Sequence, residues 1–204
     1  MKPLHPVDYP IEGLLQKRWS PRAFDPRPVE ANKLASLLEA ARWAPSCNNA
    51  QPWRYLIATK ENPSEFDRML SCLVEKNQQW ARTAPVLMVS VAHTVFEYNG
   101  APNRTAGHDV GAASAMLTIQ AEALDLHVHQ MAGFDVNKVK TEYGLPEHFD
   151  PMAAMAIGYL GSPDSIPEGF RKGEVTAGVR KPVSDFAFTK TWGEVYALPP
   201  KQGH

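Results

Sequence analysis

The chain holds 204 residues, with 21 Lys and Arg against 22 Asp and Glu, a formal net charge of −1. That balance excludes a general nucleic-acid binder, which needs a clustered positive surplus to neutralise phosphates, and no run reaches the ~20 apolar residues that span a bilayer. Hydrophobic residues make up 44% of the chain, enough for a core, and the length predicts a single domain over residues 1–204.

The opening Met1-Lys2-Pro3-Leu4-His5-Pro6 lacks the apolar stretch of a secretory signal. Two cysteines, Cys47 and Cys72, lie outside any CxxC pattern, which fits a reducing compartment and predicts a cytoplasmic protein. Proline is in excess: 18 residues, about 9% where ~5% is usual. It gathers in residues 3–28, 45–52 and 146–200, so fixed turns or extended arms belong there.

Along the chain, Pro10 opens a short predicted helix with Ile11, Leu14 and Leu15 on one face. Leu34, Leu37, Leu38 and Ala41 follow helical spacing and predict a helix that stops before Pro45. Trp53 to Ala58 reads as a strand. Ser64 with Asp67 three residues on is a capping-box-like start for the stripe Phe66, Met69, Leu70, Leu73. Pro85 to Val91 is apolar enough for a central strand covered on both faces. His108 to Leu126, rich in Ala, Leu and Met, predicts a largely buried helix, and Leu126 to Met131 a strand. Asp135 caps a further helix that Gly144 ends, with Pro146 beyond, and Met152 to Tyr159 completes the strands. Helices interleaved with about four strands make an α/β or α+β sandwich.

Residues 161–204 differ. Pro163, Pro167, Pro182, Pro199 and Pro200 surround one short apolar cluster, Val183 to Phe188, and such a tail builds no core alone. Phe186, Phe188 and Trp192 need burial against either their own subunit or another, and composition leaves both open.

Two constellations carry chemistry. In Arg18-Trp19-Ser20-Pro21-Arg22, Ser20-Pro21 enforces extended chain, and alternation puts Arg18, Ser20 and Arg22 on one face. Two guanidinium forks about a hydroxyl suit a phosphate; an ordinary solvated basic patch has the same composition. In Pro45-Ser46-Cys47-Asn48-Asn49-Ala50-Gln51-Pro52-Trp53, amide groups cluster between a helix and a strand. A planar heterocycle with a mixed donor–acceptor edge fits them, although asparagines serve turns without any ligand.

The ordered set, Arg-x-Ser-x-Arg, a helix, then Pro-Ser-x-x-Asn-x-Gln-Pro-Trp, resembles the FMN-dependent nitroreductase family. His129-Gln130-Met131-Ala132-Gly133-Phe134-Asp135 and Arg180-Lys181-Pro182 extend the resemblance over roughly Ile11 to Gly193. It implies an α+β three-layer sandwich whose mixed or antiparallel sheet is flanked by helices. It also implies a homodimer holding FMN at the subunit interface, with the extension 161–204 embracing the partner.

Residue by residue, the resemblance implies that Arg18 and Ser20 hold the FMN phosphate and ribityl end, with Trp19 between them in the same cofactor segment and Arg180 or Lys181 approaching from the tail. Arg22 matches a cation at the pyrimidine edge of the flavin. Pro45, Ser46, Cys47 and Asn48 match a turn that contacts FMN from the neighbouring subunit, with Asn49 and Gln51 on the same motif, bracing it or binding. Asn77 matches a flavin-ring contact, and Gln130, Met131, Ala132 and Gly133 match the backbone facing the reactive N5 edge. Three departures stand out: Trp19 where His or Arg is common, Trp80 where some members keep a lysine, and Ala132 where some carry an acid.

The implied activity is hydride transfer from NAD(P)H through FMN to a small electron-poor acceptor, a nitroaromatic or quinone, by a ping-pong scheme with no obligatory side-chain acid or base. Within the family, dehalogenase, dehydrogenase or flavin-fragmenting output shares the same cofactor motifs; a non-catalytic flavin-binding protein and a Cys47 thiol enzyme are the alternatives outside it. Phe96 and Tyr98 either stack over a flat substrate or anchor their loop. His127-x-His129 has the spacing of a metal pair, but without further ligands in context the two read as structural, and no metal is expected.

Overall fold

The computed structural model describes residues 3–200. Four strands, β1 (Trp53–Thr59), β2 (Val86–His93), β3 (His127–Met131) and β4 (Phe149–Gly158), pair antiparallel in the order β1-β2-β4-β3. The central β2 is buried from Val86 to Ala92, as a continuous apolar run demands when both faces are covered.

Among the described residues seven helices surround the sheet: α1 (Gly13–Lys17), α2 (Ala31–Arg42), α3 (Pro63–Ser71), α4 (Glu75–Ala81), α5 (Ala106–Ala123), α6 (Val136–Glu142) and α7 (Glu168–Val175). On one face, Leu37 of α2 and Val110, Ala113 and Leu117 of α5 pack on Val86, Met88, Met155 and Ile157. On the other, Phe66 and Met69 of α3, Trp80 of α4 and Val139 of α6 pack on Leu87, Val89 and Ala156. The predicted three-layer α+β sandwich is therefore present, and among the described residues no helix is long and apolar enough to cross a membrane.

The element ends differ instructively from expectation. The first helix starts at Gly13, three residues after Pro10, and leaves Ile11 and Leu15 exposed. Ser64 is not the cap of α3: Asn62 accepts from the Glu65 amide and Pro63 fills the first turn, while Ser64 donates to the Asn62 side chain. Because α3 stops at Ser71, Leu73 lies outside it and bridges to Phe134. Leu126 belongs to neither α5 nor β3 but is buried in the connection between them. Asp135 caps α6 as expected, accepting from the Lys138 amide at 2.9 Å. Gly144, at φ +57°, closes that helix in the left-handed conformation that glycine tolerates best.

The chain after β4 divides in two. Its first part packs on its own subunit: the Gly161 amide donates to the Ala23 carbonyl at 2.9 Å, Ile166 is buried in the core, and α7 follows. Residues 177–200 instead lie along the surface, with Phe186 63% and Trp192 93% exposed. Phe188 and Trp192 pair with ring centroids 5.1 Å apart, and the Tyr9 hydroxyl donates to the Pro199 carbonyl.

Candidate functional site

Arg18 ends α1, and its guanidinium reaches the Ser20 hydroxyl at 3.4 Å, so these two side chains do share a face. Between them Trp19 turns inward, buried beside the His127 ring, where it lines a cavity of about 230 Å3 with Glu122 and His5. Alternation in extended chain explains the split, and it separates Trp19 from the Arg18–Ser20 pair with which it had been grouped. The Arg18 pKa is lowered, first by burial and then by the charge of Arg180, while Glu122 opposes the shift. The charge of Arg180, from the tail, is thus felt at Arg18; Arg180 and the adjacent Lys181 are both exposed. The tail passes close to this segment at Gly178, where an added Cβ would stand 2.6 Å from the His5 ring, and the His5 imidazole in turn bonds the Arg18 carbonyl at 3.0 Å.

Arg22 takes different partners. Its main-chain amide donates to both carboxylate oxygens of Glu174, at 3.0 and 3.2 Å, and the Ala23 amide adds a third contact at 3.2 Å. Its guanidinium stands between two rings, 5.9 Å from the Trp80 centroid and 5.7 Å from that of Phe170.

The turn that leaves α2 is unusual in its backbone. Asn48, Asn49 and Gln51 all have positive φ, at 50°, 52° and 46°, a region that non-glycine residues enter rarely and asparagine most readily. Local bonds hold it: Ser46 Oγ accepts from the Gln51 amide at 3.0 Å, and the buried Asp109 of α5 accepts from the Cys47 amide at 3.1 Å. Pro45, Cys47, Asn48, Asn49 and Gln51 are exposed and Ser46 is half-buried. The Asn48 amide group donates to the Tyr98 hydroxyl at 3.4 Å, and Phe96 pairs with Tyr98 at 5.3 Å. The loop and the turn, far apart in sequence, therefore form one exposed surface.

Beyond β3, Asn77 and Gly133 prove to be one unit. The carbonyl of Gly133 accepts from the Asn77 side-chain amide at 2.9 Å and from the Val74 amide at 3.0 Å. An added Cβ at Gly133 would stand 2.4 Å from Asn77 Nδ2, closer than real contacts allow. Ala132 is exposed beside them. Gln130 directs its side chain to Thr118 Oγ1 at 3.2 Å, and Met131 is buried in the core, so both side chains are structural and leave only their backbone for a ligand.

His127 and His129 take separate partners: His127 lies 3.3 Å from the Glu122 carboxylate, whereas His129 bonds the Pro21 carbonyl at 2.8 Å and packs on Trp80 at 4.5 Å. Burial pushes the His129 pKa down to about 4, keeping it neutral at physiological pH.

The family model for nitroreductases matches residues 15–159, all four strands of the sheet and both constellations. The chain belongs to the nitroreductase family. A solved structure of an oxidoreductase containing FMN is 34% identical, aligns over 93% of this chain and 96% of that one, and superposes with a TM-score of 0.88. A Streptomyces coelicolor protein provisionally named NADH dehydrogenase/NAD(P)H nitroreductase is 26% identical over 163 residues, 71% of this chain and 80% of its own. The nitrobenzene nitroreductase of Ectopseudomonas oleovorans is 39% identical over a 51-residue stretch, 25% of this chain and 22% of its own.

As a nitroreductase-family chain it carries structural site partners that motif reading had passed over: Asp109, Glu174, Phe170 and Thr83. Thr83 Oγ1 lies 3.4 Å from both the Arg22 carbonyl and the Phe24 amide. Asp109, Glu174 and Thr83 act on the backbone of a motif residue and Phe170 on the Arg22 guanidinium, each from a distant element, and only the fold reveals such partnerships.

Proposed function

We propose that this nitroreductase-family chain is an FMN-dependent oxidoreductase passing electrons from NAD(P)H to a small electron-poor acceptor such as a nitroaromatic or quinone. It works as a cytoplasmic homodimer. The observation that carries the reading is the Arg18–Ser20 pair, a half-buried guanidinium beside a hydroxyl, at which the charge of Arg180 is also felt. Two like charges about a hydroxyl suit a dianion such as a phosphate.

The remaining donors fit the rest of FMN. Arg22 offers a cation, the Ala132–Gly133 main chain is reachable beside Asn77, and the exposed turn Ser46–Asn48 presents amide groups. Bound FMN would supply two-electron transfer between the nicotinamide and the acceptor. Arg18, Ser20 and Arg180 bind its phosphate, with Lys181 beside them. Arg22 sets positive charge at the pyrimidine edge, and the segment Gln130–Gly133 lines the reactive edge through its backbone. Asn77 fixes the Gly133 carbonyl, which keeps that backbone in place. No side chain has to move a proton obligatorily, and the aromatic pair Phe96 and Tyr98 favours flat acceptors.

The turn Ser46–Asn48 of one subunit faces the FMN of the other, and the chain beyond Thr176 crosses to the partner. The exposure of Phe186 and Trp192 supports that crossing, since large apolar groups left in water mark an interface.

The visible spectrum of the purified protein, its FMN affinity with and without Arg18→Ala, and anaerobic bleaching by NADH or NADPH test the proposal. A yellow protein that either donor bleaches, giving parallel double-reciprocal plots against acceptor, is expected. Protein that cannot be loaded with FMN sinks the proposal, and a loaded protein that neither donor bleaches reduces it to a flavin carrier. A chain truncated after Thr176 that still forms a flavin-loaded dimer refutes the crossing tail.

A further inference from the structure

Arg22 is held at two levels. Its main chain is pinned by Glu174 through the amide and by Thr83 through the carbonyl. Its guanidinium lies between the Trp80 ring at 5.9 Å and the Phe170 ring at 5.7 Å, both inside the ~6 Å over which an aromatic face attracts a cation. Trp80 is 1% exposed and its ring is backed by His129, so that wall is fixed. Phe170 comes from α7, on the far side of the chain. The floor of α7 is equally close, because an added Cβ at Gly173 would stand 3.3 Å from Arg22 Nη1.

What holds this cation matters chemically. Among the described residues no carboxylate forms an ion pair with the Arg22 guanidinium. Glu174, the acid that reaches this segment, turns both oxygens to the main-chain amides of Arg22 and Ala23. An aromatic face orients a guanidinium without cancelling its charge, whereas a carboxylate would neutralise it.

We propose that Phe170 and Trp80 are positioning residues for Arg22. Their rings hold its guanidinium as an uncompensated cation, so that α7 helps set how much more tightly the protein binds reduced than oxidised FMN. This rests on the reading that Arg22 faces the flavin.

The experiment uses FMN-loaded protein and compares wild type with Phe170→Leu, which keeps apolar bulk without an aromatic face, Phe170→Tyr, which restores the face, and Arg22→Ala. The readouts are the flavin midpoint potential, the Kd for oxidised FMN, and urea unfolding of the apoprotein. In Phe170→Leu the preference for reduced FMN should fall about threefold, the scale of one exposed cation–π contact. For a two-electron couple that is about 14 mV more negative.

Phe170→Tyr should return to the wild-type potential, and Arg22→Ala should move further in the same direction as Phe170→Leu. Gly173→Ala, which crowds Nη1, should also lower the potential and serves if Phe170→Leu does not fold. If Arg22→Ala shifts the potential while Phe170→Leu and Gly173→Ala do not, or if Phe170→Tyr shifts it as far as Phe170→Leu, the clamp is overturned. If Arg22→Ala itself changes neither potential nor FMN affinity, the placement of Arg22 at the flavin fails and the clamp's role fails with it.

Discussion

Replacing Glu174 with alanine tests whether α7 is part of the site's foundation. The carboxylate is 4% exposed and serves two main-chain donors, the amides of Arg22 and Ala23. Ala23 is fully buried, so its amide finds no water once the acid is gone. An unpaired buried donor costs roughly 1–3 kcal/mol. With half-buried Arg22 partly recovering through solvent, the sum comes to about 2–4 kcal/mol. At ~2–4 °C per kcal/mol for a chain of this size, Glu174→Ala should lower Tm by roughly 5–15 °C, and Glu174→Gln, which keeps one acceptor, by about half as much. Calorimetry reads the shift. Trypsin reads the cause, because Arg171 and Lys172 lie within α7 and should be cut sooner once the helix is unpinned. A Tm within roughly 2 °C of wild type together with an unchanged tryptic pattern would refute the reasoning.

Three other outcomes follow from the geometry. His129 titrates near 4 in the folded chain against 6.5 ordinarily, so its neutral form is the one folding favours. Its contribution is complete above pH 6.5 and is lost as pH falls from 6.5 to 4, on the order of 3 kcal/mol. His129→Gln should flatten the fall in urea stability over that window, and an identical pH slope in the variant counts against the assignment. Gly133→Ala forces Asn77 aside and should cost about 1–3 kcal/mol by overpacking. Combined with Asn77→Ala the loss should be less than additive, and strict additivity would mean the two do not touch. Asp109→Ala frees the Cys47 amide, a charge-assisted bond worth ~1.5–3 kcal/mol. The loosened turn should expose Cys47 to faster thiol labelling and weaken FMN binding, with Asp109→Asn between the two, whereas unchanged labelling would argue that Ser46 alone holds the turn.

Long periodic runs were legible in the sequence. The Leu34–Ala41 stripe, the apolar strand after Pro85 and the alanine-rich helix all exist because burial imposes the spacing that was read. The missed elements lacked that signal. In α4 the buried residues are only Trp80 and Ala81, at its last turn, and in α7 the buried residue is an acid, Glu174. The inward side of α7 carries one aromatic, Phe170, and one acid, Glu174, too few apolar positions to read as a stripe. Cap competition explains α3: Asn62 and Ser64 are both capping residues, and the fixed φ of Pro63 decides for Asn62. In the site, the residue types were readable but their partnerships were not. Asn77 and Gly133 were noted separately, and Trp19 was grouped with its neighbours although alternation turns it inward.

The contacts that tie Arg22 and Ala23 to Gly161 and Glu174 also set an order of events. Every neighbour pair in the sheet is antiparallel, yet the central pair joins β2 to β4 across α5, β3 and α6. During synthesis the first twenty-odd residues therefore leave the ribosome long before the segments that fix their shape. On the proposed reading, the face of Arg18 and Ser20 gains its second cation only after Arg180 has emerged. If the proposed site is right, a chain stalled or clipped before α7 would already possess its sheet and would hold FMN weakly. Loading would then report that α7 and the segment after it have folded back, and long-range closure of this kind comes late in folding.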